Sequence, residues 1–192
     1  MLEAKAVTKQ FSDLGLIKKL IMTQFPRNER VPIRMLLWKA KASKSSTVDF
    51  LAFYAGDLFV GFTYMFTNDD ITFVAFLAVD STIQSKGYGS QILKYVKTLY
   101  PNNRIVLGIE SLDESADNYK QRVKRKEFYI KNGYESAGFK IKALGAEFEM
   151  LITGGDGSIS SDECLAFYGR NIYGAFLHRI FKIFIRVTTI NK

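Results

Sequence analysis

A strand, a glycine-bearing loop and a helix follow one another in the middle of the chain. The apolar segment 71–79 predicts a buried strand, and the segment 90–99 has the apolar spacing of a helix. Gly87 and Gly89 lie between them. Glycines at such a turn let the backbone approach a ligand, and the helix N-terminus adds the positive end of its dipole. The segment therefore predicts a site for a phosphate or pyrophosphate.

The loop does not match two common phosphate-binding patterns. A dinucleotide-binding loop requires a third glycine three residues after Gly89, where Ile92 stands. A nucleotide-triphosphate loop requires Gly-Lys-Ser/Thr, whereas Gly89 is followed by Ser90-Gln. The pattern present is Gln-x-x-Gly-x-Gly, beginning at Gln84 directly after an apolar strand. This pattern resembles the acetyl-CoA loop of the GNAT superfamily of N-acetyltransferases, whose consensus is Gln/Arg-x-x-Gly-x-Gly/Ala.

A second segment carries the same resemblance. A strand-like run ends at Glu110 and is followed by the helix-like segment 118–132, which contains Phe-Tyr129 and ends at Gly133-Tyr134. The GNAT family has Phe-Tyr-x-x-x-Gly-Phe/Tyr at this place. Because the two motifs occur in the family's order, their combination is more specific than either motif alone. The resemblance covers roughly residues 48–151.

Apolar periodicity and turn residues predict a mixed α/β sheet of the α+β kind. Helices are expected at 14–25, 33–42, 90–99 and 118–132, and strands at 47–54, 57–67, 71–79, 104–109, 134–143 and 147–153. The turn sequences at 55–57 and 68–70 predict an antiparallel meander of the first three strands. The next strand should run parallel to the third, because a helix separates them. The resemblance implies that these two parallel strands splay apart and hold the pantetheine of the cofactor.

The last part of the chain differs in composition. Residues 1–155 are expected to form the GNAT-like domain, which ends at the glycine-rich break 154–157. Residues 156–192 form a predicted amphipathic helical extension that begins at Ser161. We expect it to pack on the same domain or on a homodimer partner, and the alternative is a membrane surface.

The resemblance also implies which residues bind the cofactor. The pyrophosphate would be held by Gln84, Ser85, Lys86, Gly87, Tyr88, Gly89 and Ser90. The backbone N–H groups of Leu77 and Val79 would hold the pantetheine. Asn118, at a helix start, either caps that helix or binds the pantetheine.

Acetyl transfer to an amine requires an acid for the leaving thiolate and a base for the amine. Tyr129 is the candidate acid, because a phenol with a pKa of ~10 can protonate a thiolate with a pKa of ~8.5. Glu110 is the candidate base, and Asp80 and Asp113 are weaker candidates. The alternative is that Tyr129 is a core aromatic residue and that Glu110 is a surface residue at a strand end.

Composition limits the remaining possibilities. The one cysteine, Cys164, excludes an intrachain disulfide, and with one histidine, His178, a zinc site is not expected. No signal peptide or membrane-spanning run is visible, so a cytoplasmic location is expected. The net charge of +8 is compatible with the anionic CoA and also with nucleic acid.

The function that these observations predict is an acetyl-CoA-dependent N-acetyltransferase. The acceptor would be a primary amine of a small molecule or peptide that attacks the thioester directly. Two alternatives belong to other classes of protein. One is a non-catalytic CoA-binding sensor or interaction module. The other is an acetyltransferase associated with tRNA or the ribosome, which the positive charge would permit.

Overall fold

The computed structural model describes residues 2–42, 47–143, 145–169 and 186–190. The chain divides into two compact units, Met1–Pro101 and Asn102–Lys192. Among the helices of the described residues, none is long and apolar enough to cross a membrane.

Where the structure describes it, the first unit has a four-stranded antiparallel meander and three α-helices. Its elements are β1 (Glu3–Ala6), α1 (Leu14–Gln24), α2 (Ile33–Ala42), β2 (Thr47–Ala55), β3 (Leu58–Asn68), β4 (Ile71–Val79) and α3 (Tyr88–Leu99). The strands pair in the order β1-β2-β3-β4. The predicted meander is confirmed, and Gly56 (φ 61°) and Asp69 (φ 51°) occupy its two turns.

Helices cover both faces of this meander. The ring of Phe25, which follows α1, lies 5.2 Å from the ring of Phe76, and the hydroxyl of Tyr64 donates to the carbonyl oxygen of Leu36 in α2 (3.0 Å). Because Tyr64 and Phe76 are directly paired, their side chains point to one face, and α1 and α2 both lie on it. On the other face, Ile92 of α3 belongs to a buried apolar cluster with Phe53, Val60, Val79 and Ile83.

Two irregularities shape β4 just before the glycine-bearing loop. Tyr64 pairs with Phe76 but Met65 pairs with Val74, so Ala75 is an extra residue, a β-bulge. Further along, Gly61 pairs with Val79. A Cβ added to Gly61 would lie 2.1 Å from the carbonyl oxygen of Ala78, so only glycine allows the two strands to approach this closely.

The described residues of the second unit form four strands and two helices. Its elements are β5 (Arg104–Glu110), α4 (Tyr119–Lys131), β6 (Glu135–Ala143), β7 (Ala146–Thr153), α5 (Ser161–Tyr168) and β8 (Arg186–Thr189). The strands are antiparallel in the order β5-β7-β6-β8. Arg104 fixes α5, since its guanidinium donates to the carboxylate of Glu163 and to the carbonyl oxygen of Ser158 (3.0 Å each from Nη1).

The α/β class and every predicted helix and strand before residue 154 are confirmed. The extension begins with helix α5 at Ser161 as predicted, but residues 170–185, with His178, lie outside the described residues. The prediction of helix is wrong for Arg186–Thr189, which form a strand on β6. The β-branched Val187, Thr188 and Thr189 favour a pleated strand.

Candidate functional site

The loop after β4 exposes backbone donors at the start of α3. This helix begins at Tyr88, earlier than predicted, and Gly87 is its N-cap in the left-handed conformation (φ 80°). Ser85 also has a positive φ of 66°. The N–H groups of Tyr88, Gly89 and Ser90 belong to the first turn, where helical N–H groups have no partner within the helix. Apart from Gly87 and its chain neighbours, no atom lies within 4 Å of the Cβ position of Gly87, so a ligand can approach the backbone there.

Hydrogen bonds within the loop fix its path. The Asp80 carboxylate accepts from the backbone N–H of Thr82 (2.9 Å) and from its hydroxyl (2.7 Å). These two bonds lower the pKa of Asp80 below its ordinary value. The side-chain amide of Gln84 donates to the carbonyl oxygen of Val79 (3.3 Å). Gln84 therefore ties the loop back to the end of β4.

Most side chains next to the loop face the core. Val79 is a member of the cluster under α3, and Leu77 and Tyr88 pack against that cluster. The backbone groups of these residues are thus the ones that can serve a ligand. The side chain of Lys86 is exposed at the tip of the loop and supplies a positive charge.

In the second unit, Glu110 is buried among positive charges. Its side chain is 8% exposed, which shows that the surface alternative for this residue is wrong. One carboxylate oxygen lies 3.1 Å from Nη2 of Arg122, and the other lies 3.2 Å from Nη1 of Arg125. The amide of Asn118 donates to the second oxygen (3.3 Å). Three side chains of α4 and its N-cap thus hold both carboxylate oxygens of Glu110 in place.

Asn118 joins this network instead of capping α4. It occupies the N-cap position, but its side chain makes no capping hydrogen bond, so the capping alternative is wrong. Its side-chain oxygen accepts from Nε of Arg122 (2.8 Å), and Nη1 of Arg122 donates to the carbonyl oxygen of Ser111 (2.7 Å). The network thereby joins the end of β5 to the first turns of α4.

Tyr129 lies on α4, one helical turn after Arg125. It is 8% exposed, and its ring makes edge contacts with Phe128 (5.1 Å) and Tyr134 (5.6 Å). Burial raises the pKa of Tyr129 to about 12, and the charge of Arg125 opposes this rise. Gly133 (φ 79°) ends the helix, which allows Tyr134 to turn back under Tyr129.

Sequence reasoning missed how the basic residues of α4 are used. Arg122 and Arg125 pair with Glu110, and Lys126 binds the buried Glu149 through both carboxylate oxygens (3.0 and 2.8 Å). These cations therefore bind carboxylates of their own unit. The spacing of the three cations on one side of α4, after a strand that ends in glutamate, is the signal that could have indicated this. Asp113 accepts two hydrogen bonds from Ser115 in an exposed turn.

Among the residues that the structure describes, no group of three or more His, Cys, Asp or Glu side chains is arranged to hold a metal ion.

The sequence carries a family signature across both motifs. Residues 46–136 match the family described as the acetyltransferase (GNAT) domain. This chain belongs to the GNAT superfamily. The matched segment includes the loop after β4, the end of β5 and the Phe-Tyr sequence of α4, so the predicted membership is confirmed. No curated protein matches the GNAT chain at a significant level.

Solved GNAT structures have the same fold. A protein from Bacteroides thetaiotaomicron described as an acetyltransferase of the GNAT family is 16% identical, with a TM-score of 0.63 over 88% of this chain and 97% of its own. A Bacillus subtilis acetyltransferase in complex with CoA is 14% identical, with a TM-score of 0.54 over 80% and 99%. The ribosomal-protein-S18-alanine N-acetyltransferase of Escherichia coli is 12% identical, with a TM-score of 0.57 over 84% and 97%.

Proposed function

We propose that this GNAT protein transfers the acetyl group of acetyl-CoA to a primary amine of a small molecule or peptide. The observation that carries the proposal is the left-handed Gly87, which opens onto the first turn of α3 in a segment that matches the GNAT domain. The CoA complex of the Bacillus subtilis protein and the N-acetyltransferase activity of the Escherichia coli protein support it. The single cysteine suits a reducing compartment, and we place the enzyme in the cytoplasm.

The loop has the properties that a pyrophosphate requires. The backbone N–H groups of Tyr88, Gly89 and Ser90 belong to a helix N-terminus, and the exposed Lys86 adds a cation. Gln84 positions the loop through its bond to Val79. Acetyl-CoA supplies the activated thioester. Peptide N–H groups of Leu77 and Val79 are the proposed donors to its pantetheine.

Tyr129 is the proposed general acid. Its raised pKa of about 12 keeps the phenol protonated at neutral pH. Proton transfer from such a phenol to a thiolate with an ordinary pKa of ~8.5 is uphill. The positive charge of Arg125 stabilises the phenolate that results, so we include Arg125 as a positioning residue for this step.

Glu110 is the proposed general base. An amine with a pKa of ~10.4 is almost wholly protonated at pH 7, so a proton must be removed before attack. The two arginines occupy both carboxylate oxygens of Glu110. We therefore propose that Glu110 acts through a water molecule. Asp80 and Asp113, each bound within its own turn, are weaker candidates.

A screen of amines tests the proposal directly. Purified protein is incubated with acetyl-CoA and a library of small amines and peptide N-termini, and thiol release is measured. We expect release above the amine-free rate for a subset of amines, and mass spectrometry should show the acetylated product. If CoA binds but no amine increases thiol release, the chain is a CoA-binding module without catalysis. Retention on RNA that falls steeply with salt would favour an acceptor on tRNA or the ribosome.

A further inference from the structure

The outer sides of α1 and α2 expose large apolar side chains. The exposed fraction is largest for Trp38 and remains high for the others: Trp38 65%, Met35 57%, Met22 50% and Leu16 41%. Several large apolar side chains exposed on one side of a protein are typical of a surface that contacts a partner. The two helices lie on the same face of the meander, so these residues project to the same side of the first unit.

Positive charges surround these apolar side chains. Lys18 and Lys19 are exposed on α1, and Arg34 and Lys41 are exposed on α2. Neither helix contains an acidic residue. A partner that covers this side must therefore be negatively charged as well as able to accept apolar side chains.

The exposed side of α2 forms a ridge that projects away from the meander. Leu36 and Leu37 are buried against the meander. At 100° per residue, Trp38 lies nearly opposite their mean direction, with Arg34 and Met35 one turn before it and Lys41 one turn after. Trp38 is therefore at the crest of the helix, with cations on either side of it.

A ridge with these properties suits one partner better than others. A second copy would bring the same cations against each other, which is repulsive. RNA would pair with the cations but would leave the methionines and Leu16 without apolar contacts. A bilayer surface with anionic lipids accommodates both the apolar side chains and the cations. Trp and aliphatic side chains enter the headgroup boundary, while Lys and Arg bind the headgroups.

We propose that the outer sides of α1 and α2 dock on an anionic lipid membrane. The docking surface consists of Leu16, Lys18, Lys19, Met22, Arg34, Met35, Trp38 and Lys41. Binding is peripheral and reversible, since it uses side-chain tips and surface charge alone. This proposal is independent of the acetyl-transfer proposal.

Trp38 makes the test direct, because it is the only tryptophan of the chain. The full chain is titrated with vesicles of phosphatidylcholine alone, or of phosphatidylcholine with about one-third phosphatidylglycerol for a strongly negative surface potential. The fluorescence of Trp38 is recorded during each titration. We expect a blue shift with the anionic vesicles, quenching by brominated lipid, and loss of both in high salt. The neutral vesicles should give little change.

Matched variants distinguish vesicle binding by the docking surface from an effect of the total positive charge of the chain. Lys18→Gln with Lys41→Gln should weaken vesicle binding about 25-fold, since each cation contributes about fivefold. Lys120→Gln with Lys124→Gln removes the same charge from exposed positions on α4 and should leave vesicle affinity nearly unchanged. CoA affinity of both variants, measured by calorimetry, should equal that of the unaltered chain.

Three results would overturn the proposal. One is the absence of a blue shift with anionic vesicles. Another is a shift that appears with RNA and not with vesicles, which would assign the surface to nucleic acid. The third is a shift that rises with protein concentration in the absence of lipid, which would assign it to a second copy.

Discussion

Arg125 forms an ion pair with Glu110, with 3.2 Å between Nη1 and Oε2. The same arginine lies one turn before Tyr129 on α4 and opposes the rise in the pKa of that phenol. One cation thus acts on both side chains that we propose for proton transfer. Its charge favours ionisation of the phenol and it binds an oxygen of the proposed base, so its removal should slow proton donation by Tyr129 and free that oxygen of Glu110.

Glu110→Gln should change the pH profile of kcat/KM. If Glu110 accepts the amine proton, the acidic limb should disappear or move, and activity should recover at high pH where free amine is abundant. The measurement is kcat/KM across pH with the best amine from the screen. An unaltered profile would show that Glu110 does not take the proton.

Glu149→Gln is the matched control for this substitution. Each change removes a buried carboxylate from cations of α4, and each should lower the midpoint of thermal unfolding, because cations are left without their partner. Glu149 has no proposed part in proton transfer. Its variant should therefore keep the pH profile of the unaltered enzyme, which separates loss of stability from loss of a base.

Tyr129→Phe should reduce kcat on the order of 100-fold with little change in CoA affinity, as expected for loss of a positioned acid. Tyr134→Phe changes the adjacent buried ring and should keep kcat within a few-fold. Because burial raises the pKa of Tyr129 to about 12, the acid should remain protonated and kcat should show no basic limb from this group below about pH 11. A Tyr129→Phe enzyme with full kcat would leave Tyr129 with a packing role only.

Gly61→Ala should destabilise the first unit. The added methyl group would lie 2.1 Å from the carbonyl oxygen of Ala78, so the strands must separate where β4 leads into the loop. A loss of about 1–3 kcal/mol or more is expected in urea unfolding. Gly15→Ala is the control, because no atom lies within 4 Å of its Cβ position and alanine favours the helix. Equal stability of the two variants would contradict the close approach.

Elements with continuous or periodic apolar residues were predictable from sequence. The bounds of α2 and β4 agree with the prediction, because Pro32 directly precedes α2 and β4 is a nearly continuous apolar run. The strands β1 and β8 were not predicted, since each has four residues and little apolar character. Their pairing with β2 and β6 determines their conformation, and that pairing depends on tertiary structure.

One part of the candidate site was also predictable from the sequence, and another part was not. The loop from Gln84 to Ser90 is contiguous, and its glycines and following helix are visible in the sequence. The surroundings of Glu110 depend on how α4 is rotated against β5, which places Arg122 and Arg125 on the carboxylate. That rotation also takes the side chain of Asn118 away from the cap. The spacing of the cations on α4 indicates that they can pair with a carboxylate, but it does not determine this rotation.

Acetyl-CoA binding to a variant of the loop tests the proposed pyrophosphate site. Gly87→Glu places a side chain and a negative charge in the open space above a left-handed backbone, where we propose the pyrophosphate. Gly56→Glu is the matched control, because Gly56 also has a positive φ and open space but lies in the turn between β2 and β3. In calorimetry we predict that Gly87→Glu abolishes acetyl-CoA binding while Gly56→Glu binds like the unaltered chain, with both variants folded. Unchanged affinity of Gly87→Glu would show that the pyrophosphate of acetyl-CoA does not bind at this loop.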